Sequence, residues 1–379
     1  TRYWRDWSSD VCSSDLQCRP TLQSNLLPIM LNFALIGCGV IAQFHLRALA
    51  KMKTARAAVV CDLRAELAQR TATEFGVPRW TTNADEVFAD PAIDAVILAL
   101  PACARTELAL KAFKHGKHVL TEKPVAMNAG EVRSLIAAQG DRVGACCSSR
   151  YRSFESARVA NAFIRSGGLG KIRTITCRAA TKPSDQPNPN PPVWRLRRDL
   201  NGGGIFVNWG CYDVDYLLGL VDFKLTPQFA LARTWQTPEP FSAYAAKGSD
   251  AETHIVGLVT FAEGCVLNYE RAEFSSLPAN SVWQICGDRG ALDLQMLKAK
   301  RANVVLTEPN PGTGTQTRVL WEGDESESAA EHDGIVFDFV GAILEKRPPM
   351  TSLQDALLFA RITDAFYASA DTGQPVAVA

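Results

Sequence analysis

The sequence predicts a two-domain α/β protein: a doubly wound parallel sheet first, then an α+β domain built on a mostly antiparallel sheet. Three observations lead there. At 379 residues the chain exceeds what one hydrophobic core ordinarily organises. From Leu31 to about Arg150, short apolar runs alternate with helical patterns, as parallel βαβ units require. Beyond Arg150, strand-like runs follow one another with short turns and few helices, as antiparallel pairing allows.

Residues 1–30 are set apart as a non-native or disordered leader. The tract from Thr1 to about Gln17 has no period of 2 or 3.6 and resembles a translated sequencing adapter, so Met30 is the expected start. A signal peptide over Leu26–Ile36 would lack a basic flank and a small-residue cleavage site, and would use up the first strand. Phe33–Ile36 opens the sheet, and a helix with Phe44, Leu46 and Leu49 follows. A second strand, Ala57–Cys61, ends at Asp62. Helical spacing over Arg64–Phe75 stops at Gly76, and Asn83–Phe88 reads as a short capped helix. Strands are expected at Ala95–Leu100, His118–Thr121 and Val143–Cys147, with helices at Thr106–His115 and Asn128–Gln139. In such a sheet ligands bind beyond the carboxyl ends of the strands, where Gly37, Asp62, Pro101 and Lys123 fall.

The second domain, taken as 151–348, starts with a helix at Ser153–Arg165 and a strand at Ile172–Arg178. A proline-rich loop runs from Pro183 to Pro192, before the stretch Gly202–Leu220. Strands are expected at Gln228–Trp235, His254–Phe261, Cys265–Ala272, Val282–Cys286, Ala291–Leu294, Val304–Leu306 and Arg318–Trp321. Asp324–His332 reads as a polar loop and Ile335–Leu344 as a helix. Residues 349–379 carry a long helix from Ser352, where Ser-Leu-Gln-Asp resembles a capping box, to Thr372 before Gly373.

Composition narrows the function. Forty basic and forty acidic residues give zero formal charge, which argues against a nucleic-acid partner. No apolar run reaches the ~18 residues of a membrane span. The 11 cysteines are odd in number, scattered and without C-x-x-C spacing, so they read as buried hydrophobes of a reducing, cytoplasmic compartment. No metal site is expected; His115 and His118 read as a capping or solvated pair, and His45 as a packed helix residue.

Gly37-Cys38-Gly39-Val40-Ile41-Ala42 is G-x-G-x-x-A between a strand and a helix, the context of a dinucleotide site. Gly37 would allow the tight turn, and Gly39 would let the backbone approach a pyrophosphate. Val40 and Ile41 would open the helix on which it rests, and Ala42 would keep helix and strand close. Asp62 would accept from both ribose hydroxyls, favouring NAD and repelling a 2′-phosphate. Arg64 nearby keeps NADP as the lesser alternative.

With these residues in hand, the chain resembles the glucose–fructose oxidoreductase / inositol dehydrogenase family from about Leu31 to Val378. The resemblance rests on Gly37–Ala42 with His45, on Asp62, and on Gly116–Pro124 with its Glu122-Lys123-Pro124 tract. It rests further on Gly168–Ile172, on Gly202-Gly203-Gly204 and on Gly287–Gly290. It implies a Rossmann domain, then a large open antiparallel sheet, with the last helix returning to the first domain. It implies a homodimer or homotetramer formed through the outer face of that sheet. It implies hydride transfer between nicotinamide C4 and a hydroxyl or carbonyl carbon of a sugar, cyclitol or polyol. Some relatives are instead glycosidases that oxidise transiently, and one relative is a non-catalytic regulator.

By the same resemblance Lys123 is the active-site lysine and Tyr212 the acid–base, with Asn208 and Asp215 beside the substrate. Asn208 stands where the family usually has Asp, and an amide can orient a partner but not carry charge. An ammonium ~4 Å from Tyr212 would draw its pKa from near 10 toward about 7. Arg105 stands where an imidazole is common and Ala102 where Asn is; Arg105 would serve the substrate or cover a helix end. Trp194 and Arg195, ahead of the triple glycine, suit a sugar face and its hydroxyls. Pro101 and Glu122 complete the cofactor-side set.

Overall fold

The computed structural model describes residues 30–328 and 330–379; the leader expected at residues 1–29 lies outside them. The chain runs β1 (Leu31–Ile36), α1 (Val40–Ala50), β2 (Ala55–Cys61), α2 (Ala65–Phe75), β3 (Arg79–Thr81), α3 (Ala84–Ala89), β4 (Ala95–Leu98), α4 (Ala102–Lys114), β5 (His118–Thr121), α5 (Ala129–Gln139) and β6 (Gly144–Cys146). All six strands are parallel, in the order β3-β2-β1-β4-β5-β6. The order reverses between β1 and β4, so the loops after them open a crevice at the carboxyl edge. Phe33 and Leu35 face one core and Ala34 and Ile36 the other, all fully or nearly fully buried, as a strand covered on both sides demands.

A 3-10 turn (Cys147–Ser153) leads into α6 (Glu155–Arg165), β7 (Ile172–Ala180), the single-turn α7 (Arg198–Asn201), a π-helical turn (Phe206–Gly210) and α8 (Cys211–Leu220). Strands β8 (Pro227–Trp235), β9 (His254–Phe261), β10 (Val266–Ala272), β11 (Asn280–Gly287), β12 (Ala291–Leu294), β13 (Ala302–Asn310) and β14 (Gly314–Gly323) follow. The chain closes with α9 (Ala330–Glu345), α10 (Leu353–Thr372) and β15 (Val376–Ala377). The nine-stranded sheet is ordered β14-β13-β12-β11-β7-β10-β9-β8-β15. It is antiparallel except at β7–β10, as the composition of the segment anticipates. One of its faces carries α6, α8 and α10. The other leaves Phe229, Leu231, Trp235, Val256 and Leu258 exposed.

Several boundaries differ from expectation. Helix α4 starts at Ala102, a turn earlier than Thr106, because Pro101 supplies an N-cap backbone without ending the apolar pattern. The polar loop after Asp324 is cut short by α9, which starts at Ala330 and includes His332. β3 and β15, three and two residues long, are too short to show a period.

The last two helices span the domains. From α9, Ile335, Val336, Phe339 and Val340 fill the core over Phe33 and Leu35 of β1, so this helix packs in the first domain rather than the second. Helix α10 carries two apolar stripes. Leu353, Ala356 and Ala360 enter the first domain's other core, and Leu358, Phe359, Ile362 and Phe366 enter the second domain. Its capping box forms: the Ser352 side chain accepts from the backbone N–H of Asp355, and the Asp355 carboxylate accepts from that of Ser352. Such a cap is worth about 1 kcal/mol.

Candidate active site

The glycine loop has the conformation a phosphate needs. Gly37 has φ +94°, and a Cβ there would strike the carbonyl oxygen of Ala99, so only glycine serves. At Gly39 the space is open, and α1 starts there without a side-chain cap, which leaves first-turn N–H groups free at Val40 and Ile41. Ala42 is fully buried against the sheet. The Asp62 carboxylate accepts from Cys38 N at 2.9 Å and from Arg64 N at 3.0 Å. Burial alone would raise its pKa; these bonds and the Arg64 guanidinium outweigh it and hold the group anionic. Free helix N–H groups with a fixed carboxylate at the next strand end fit a dinucleotide, which Gly37, Gly39, Val40, Ile41, Ala42 and Asp62 would hold.

The end of β5 carries Lys123, joined to Pro124 by a cis bond. Arg105 of α4 sets this turn. Its guanidinium donates to the carbonyl oxygens of Glu122 and Pro124, and to that of Lys123 at 3.2 Å. Arg105 is 2% exposed, so it neither meets substrate nor covers a surface; the helix lifts it under the turn. Pro101 caps α4 at the crevice. Glu122 is also buried, accepting from His45 Nε2 at 3.0 Å and from Lys123 N at 3.1 Å. Burial would raise its pKa, but the bond to His45 and the neighbouring cations hold it far below the usual carboxylate range. His45 is therefore a partner of the Glu-Lys-Pro tract and not packing alone. Cys147 lies within 4.8 Å of both, yet burial pushes its thiol well up, so it is not a thiolate.

Across the crevice the triple glycine delivers α8. At Gly204 a Cβ would strike the backbone of Glu252. The Glu252 carboxylate accepts from the N–H groups of Gly204 and Phe206 at 3.0 and 3.1 Å, fixing the start of the π-helical turn. Asn208 sits on that turn. Lys123 Nζ donates to its backbone oxygen at 2.8 Å and to its Oδ1 at 3.1 Å. The ammonium also lies 4.8 Å from the centroid of the Tyr212 ring. Lys123, Asn208 and Tyr212 thus converge from β5, the π-turn and α8.

The electrostatics differ from expectation. Lys123 faces the Tyr212 ring, not its oxygen, and burial pushes the Tyr212 phenol well above its ordinary pKa. The cation that pulls hardest the other way is Arg150, whose guanidinium carbon is 4.8 Å from the same ring. Burial likewise lowers Lys123, with Arg150 and Arg105 adding to the effect. Arg150 was not among the expected residues, although it follows β6 at the carboxyl edge, where ligands bind.

Asp215 is placed elsewhere. Its carboxylate accepts from Ser148, Thr351 and Arg152 at 2.6, 2.6 and 2.7 Å, a saturated knot between α8, the 3-10 turn and the start of α10. Asp213 is equally occupied, by Tyr269 and Trp283. Arg195 pairs with Glu273 at 2.5 Å and lines a cleft of about 230 Å³ with Ser184, Tyr244 and Phe274; Trp194 beside it is 41% exposed. Neither joins Lys123 and Tyr212. His118 is not a solvated partner of His115: its Nδ1 accepts from Val143 N at 2.8 Å.

Comparison with known proteins agrees with this geometry. Residues 31–147 match the oxidoreductase family with an NAD-binding Rossmann fold, and residues 157–293 match the Gfo/Idh/MocA C-terminal domain. The chain belongs to the Gfo/Idh/MocA oxidoreductases. Among relatives, levoglucosan dehydrogenase of Pseudarthrobacter phenanthrenivorans is 26% identical over 69% of this chain and 73% of its own. The scyllo-inositol 2-dehydrogenase (NAD(+)) of Bacillus subtilis is 29% identical over 49% of this chain and 53% of its own. A levoglucosan dehydrogenase structure in complex with NADH superposes with TM-score 0.80 at 21% identity, covering 92% of this chain and 99% of that one. In this family member the NAD-binding domain is the one that carries Gly37, Asp62 and Lys123.

Proposed function

We propose that this protein is an NAD-dependent dehydrogenase acting on a hydroxyl or carbonyl carbon of a sugar, cyclitol or related polyol. The observation that carries the reading is the convergence of Lys123 and Tyr212 at the carboxyl edge of the parallel sheet, beside a loop shaped for a dinucleotide. Relatives named for levoglucosan and inositols support the substrate class. NAD, when bound, supplies or accepts hydride at nicotinamide C4. Two of the three Lys123 N–H donors are taken by Asn208, which leaves one for the substrate oxygen. Tyr212 moves the proton. Kept as a phenol by burial, it donates directly when a carbonyl is reduced. Oxidation needs its deprotonated form, so that direction gains as pH rises.

The test is Tyr212→Phe. The variant should still bind NAD, since the ring and its packing remain, while turnover falls about 10²- to 10⁴-fold. In the native enzyme oxidation should climb steadily from pH 7 to 10, and the variant should lose that slope. More than half of native turnover in the variant would sink the assignment. Copies of the chain pair through the outer face of the nine-stranded sheet, where five large apolar side chains stand together. A cytoplasmic location accords with cysteines that are all free among the described residues. Asp62 favours NAD over NADP.

A further inference from the structure

We infer that the polyol enters as an acid: Arg150 receives the carboxylate of a sugar acid while Lys123 holds the reacting oxygen. The inference rests on Lys123 and Tyr212 being the reacting centre. Arg150 has only 12% of its side chain exposed, yet its nearest carboxylate is a loose 3.8 Å contact with Glu331. The other oxygen of Glu331 already takes Lys298 at 2.9 Å. Arg150 Nε is buried without a partner. Arg271, 3% exposed, also has Nε and Nη1 without hydrogen-bond partners. Its counter-ion among the described residues, Asp213 at 3.4 Å, is engaged by Tyr269 and Trp283.

These cations share one aromatic wall. Arg150 and Lys123 each lie 4.8 Å from the Tyr212 ring centroid, and Arg271 lies 4.6 Å from that of Trp209, which packs edge-on against Tyr212. Both cations pack on the Tyr212 ring, and in this reading a carboxylate on Arg150 and a hydroxyl on Lys123 belong to one small molecule. Position 208 adds no anion, since Asn208 is an amide. Glu122 and Glu331 balance the Arg150 charge from a distance, but a neutral polyol would leave its buried Nε without an anionic acceptor. A carboxylate offers two oxygens to the guanidinium fork and a full negative charge to the wall.

Calorimetry on the NAD-loaded protein tests this with matched ligands: D-gluconate against D-glucitol, and D-glucuronate against D-glucose. An acid should bind at least about 30-fold more tightly than its neutral match, and the preference should weaken with salt. Arg150→Gln should bring that ratio to near one, and Arg150→Lys should keep part of it; circular dichroism checks the fold of both. Equal affinity for acid and neutral ligands, failure of both acids to bind, or a ratio unmoved in Arg150→Gln overturns the inference. The outcomes separate it from the wider reading. Turnover of neutral polyols with no preference for acids leaves the dehydrogenase standing and removes the sugar acid. Tight, Arg150-dependent acid binding without hydride transfer does the reverse.

Discussion

Single residues fix the carboxylate beside the glycine loop and the posture of Lys123. Asp62 is fixed by three hydrogen bonds, from Cys38 N, Arg64 N and Arg64 Nε, so its carboxylate is oriented before any ribose arrives. Asp62→Ser would remove the acceptor and free Arg64, whose side chain is 70% exposed, to meet a 2′-phosphate. Charged hydrogen bonds of this kind are worth about 1.5–3 kcal/mol, so kcat/KM for NAD should fall roughly 10- to 100-fold while that for NADP rises. Steady-state kinetics with both cofactors would show it; an unchanged preference would mean Asp62 does not touch the ribose. At this scale the sequence was readable where a motif is local. The glycine loop and the Asn208–Tyr212 spacing were legible because one turn of chain holds each, whereas the meeting of Lys123 with Asn208, 85 residues on, was implied only by the family resemblance. Arg105 and Asp215 were not, since their roles depend on partners from other elements. The carbonyls that Arg105 clamps lie 17 to 19 residues away, and the knot that saturates Asp215 includes Thr351, 136 residues on.

Among the elements, β5 couples the lysine's support to pH. His118 at its start accepts the Val143 N–H through Nδ1, which requires an unprotonated nitrogen there, and burial lowers its pKa to about 4. The unfolded chain takes up this proton near pH 6.5. The stabilisation is therefore complete above about 6.5 and is lost as pH falls toward 4. In His118→Asn the amide oxygen can accept the same bond without titrating. Thermal melts between pH 7.5 and 5 should show a smaller decline for this variant than for the native protein; parallel declines would assign the acid sensitivity elsewhere. Element types were readable through most of the first domain, β3 excepted, because its longer strands are short apolar runs and α3 and α5 start on Asn83 and Asn128. The π-helical turn at Phe206–Gly210 carries no such signature. It is held by Glu252, which arrives from beyond β8, so no window of local sequence contains its cause.

On the scale of the whole molecule, the exposed apolar face of the second sheet predicts self-association. Leu258 stands among Phe229, Leu231, Trp235 and Val256 on that face. Leu258→Glu should shift the mass measured by light scattering to that of one chain without changing the circular dichroism spectrum, and an unaltered mass would clear this face of the role. The two-domain plan was legible from the change in strand grammar, but the return of α9 to the first domain was not, because a helix's apolar stripe does not say which core it fills. That return bears on the order of events at the ribosome. The β1 face that carries Phe33 and Leu35 is covered by Ile335, Val336, Phe339 and Val340, and Leu353, Ala356 and Ala360 join the core on the other side of the sheet. At about 5–20 residues per second, these cover residues emerge roughly ten to forty seconds after β6. Through that interval the nascent parallel sheet has bare apolar ground on both sides. The nucleotide-binding half is thus made first and finished last, and a cut at the apparent domain boundary would release a sheet without its lids.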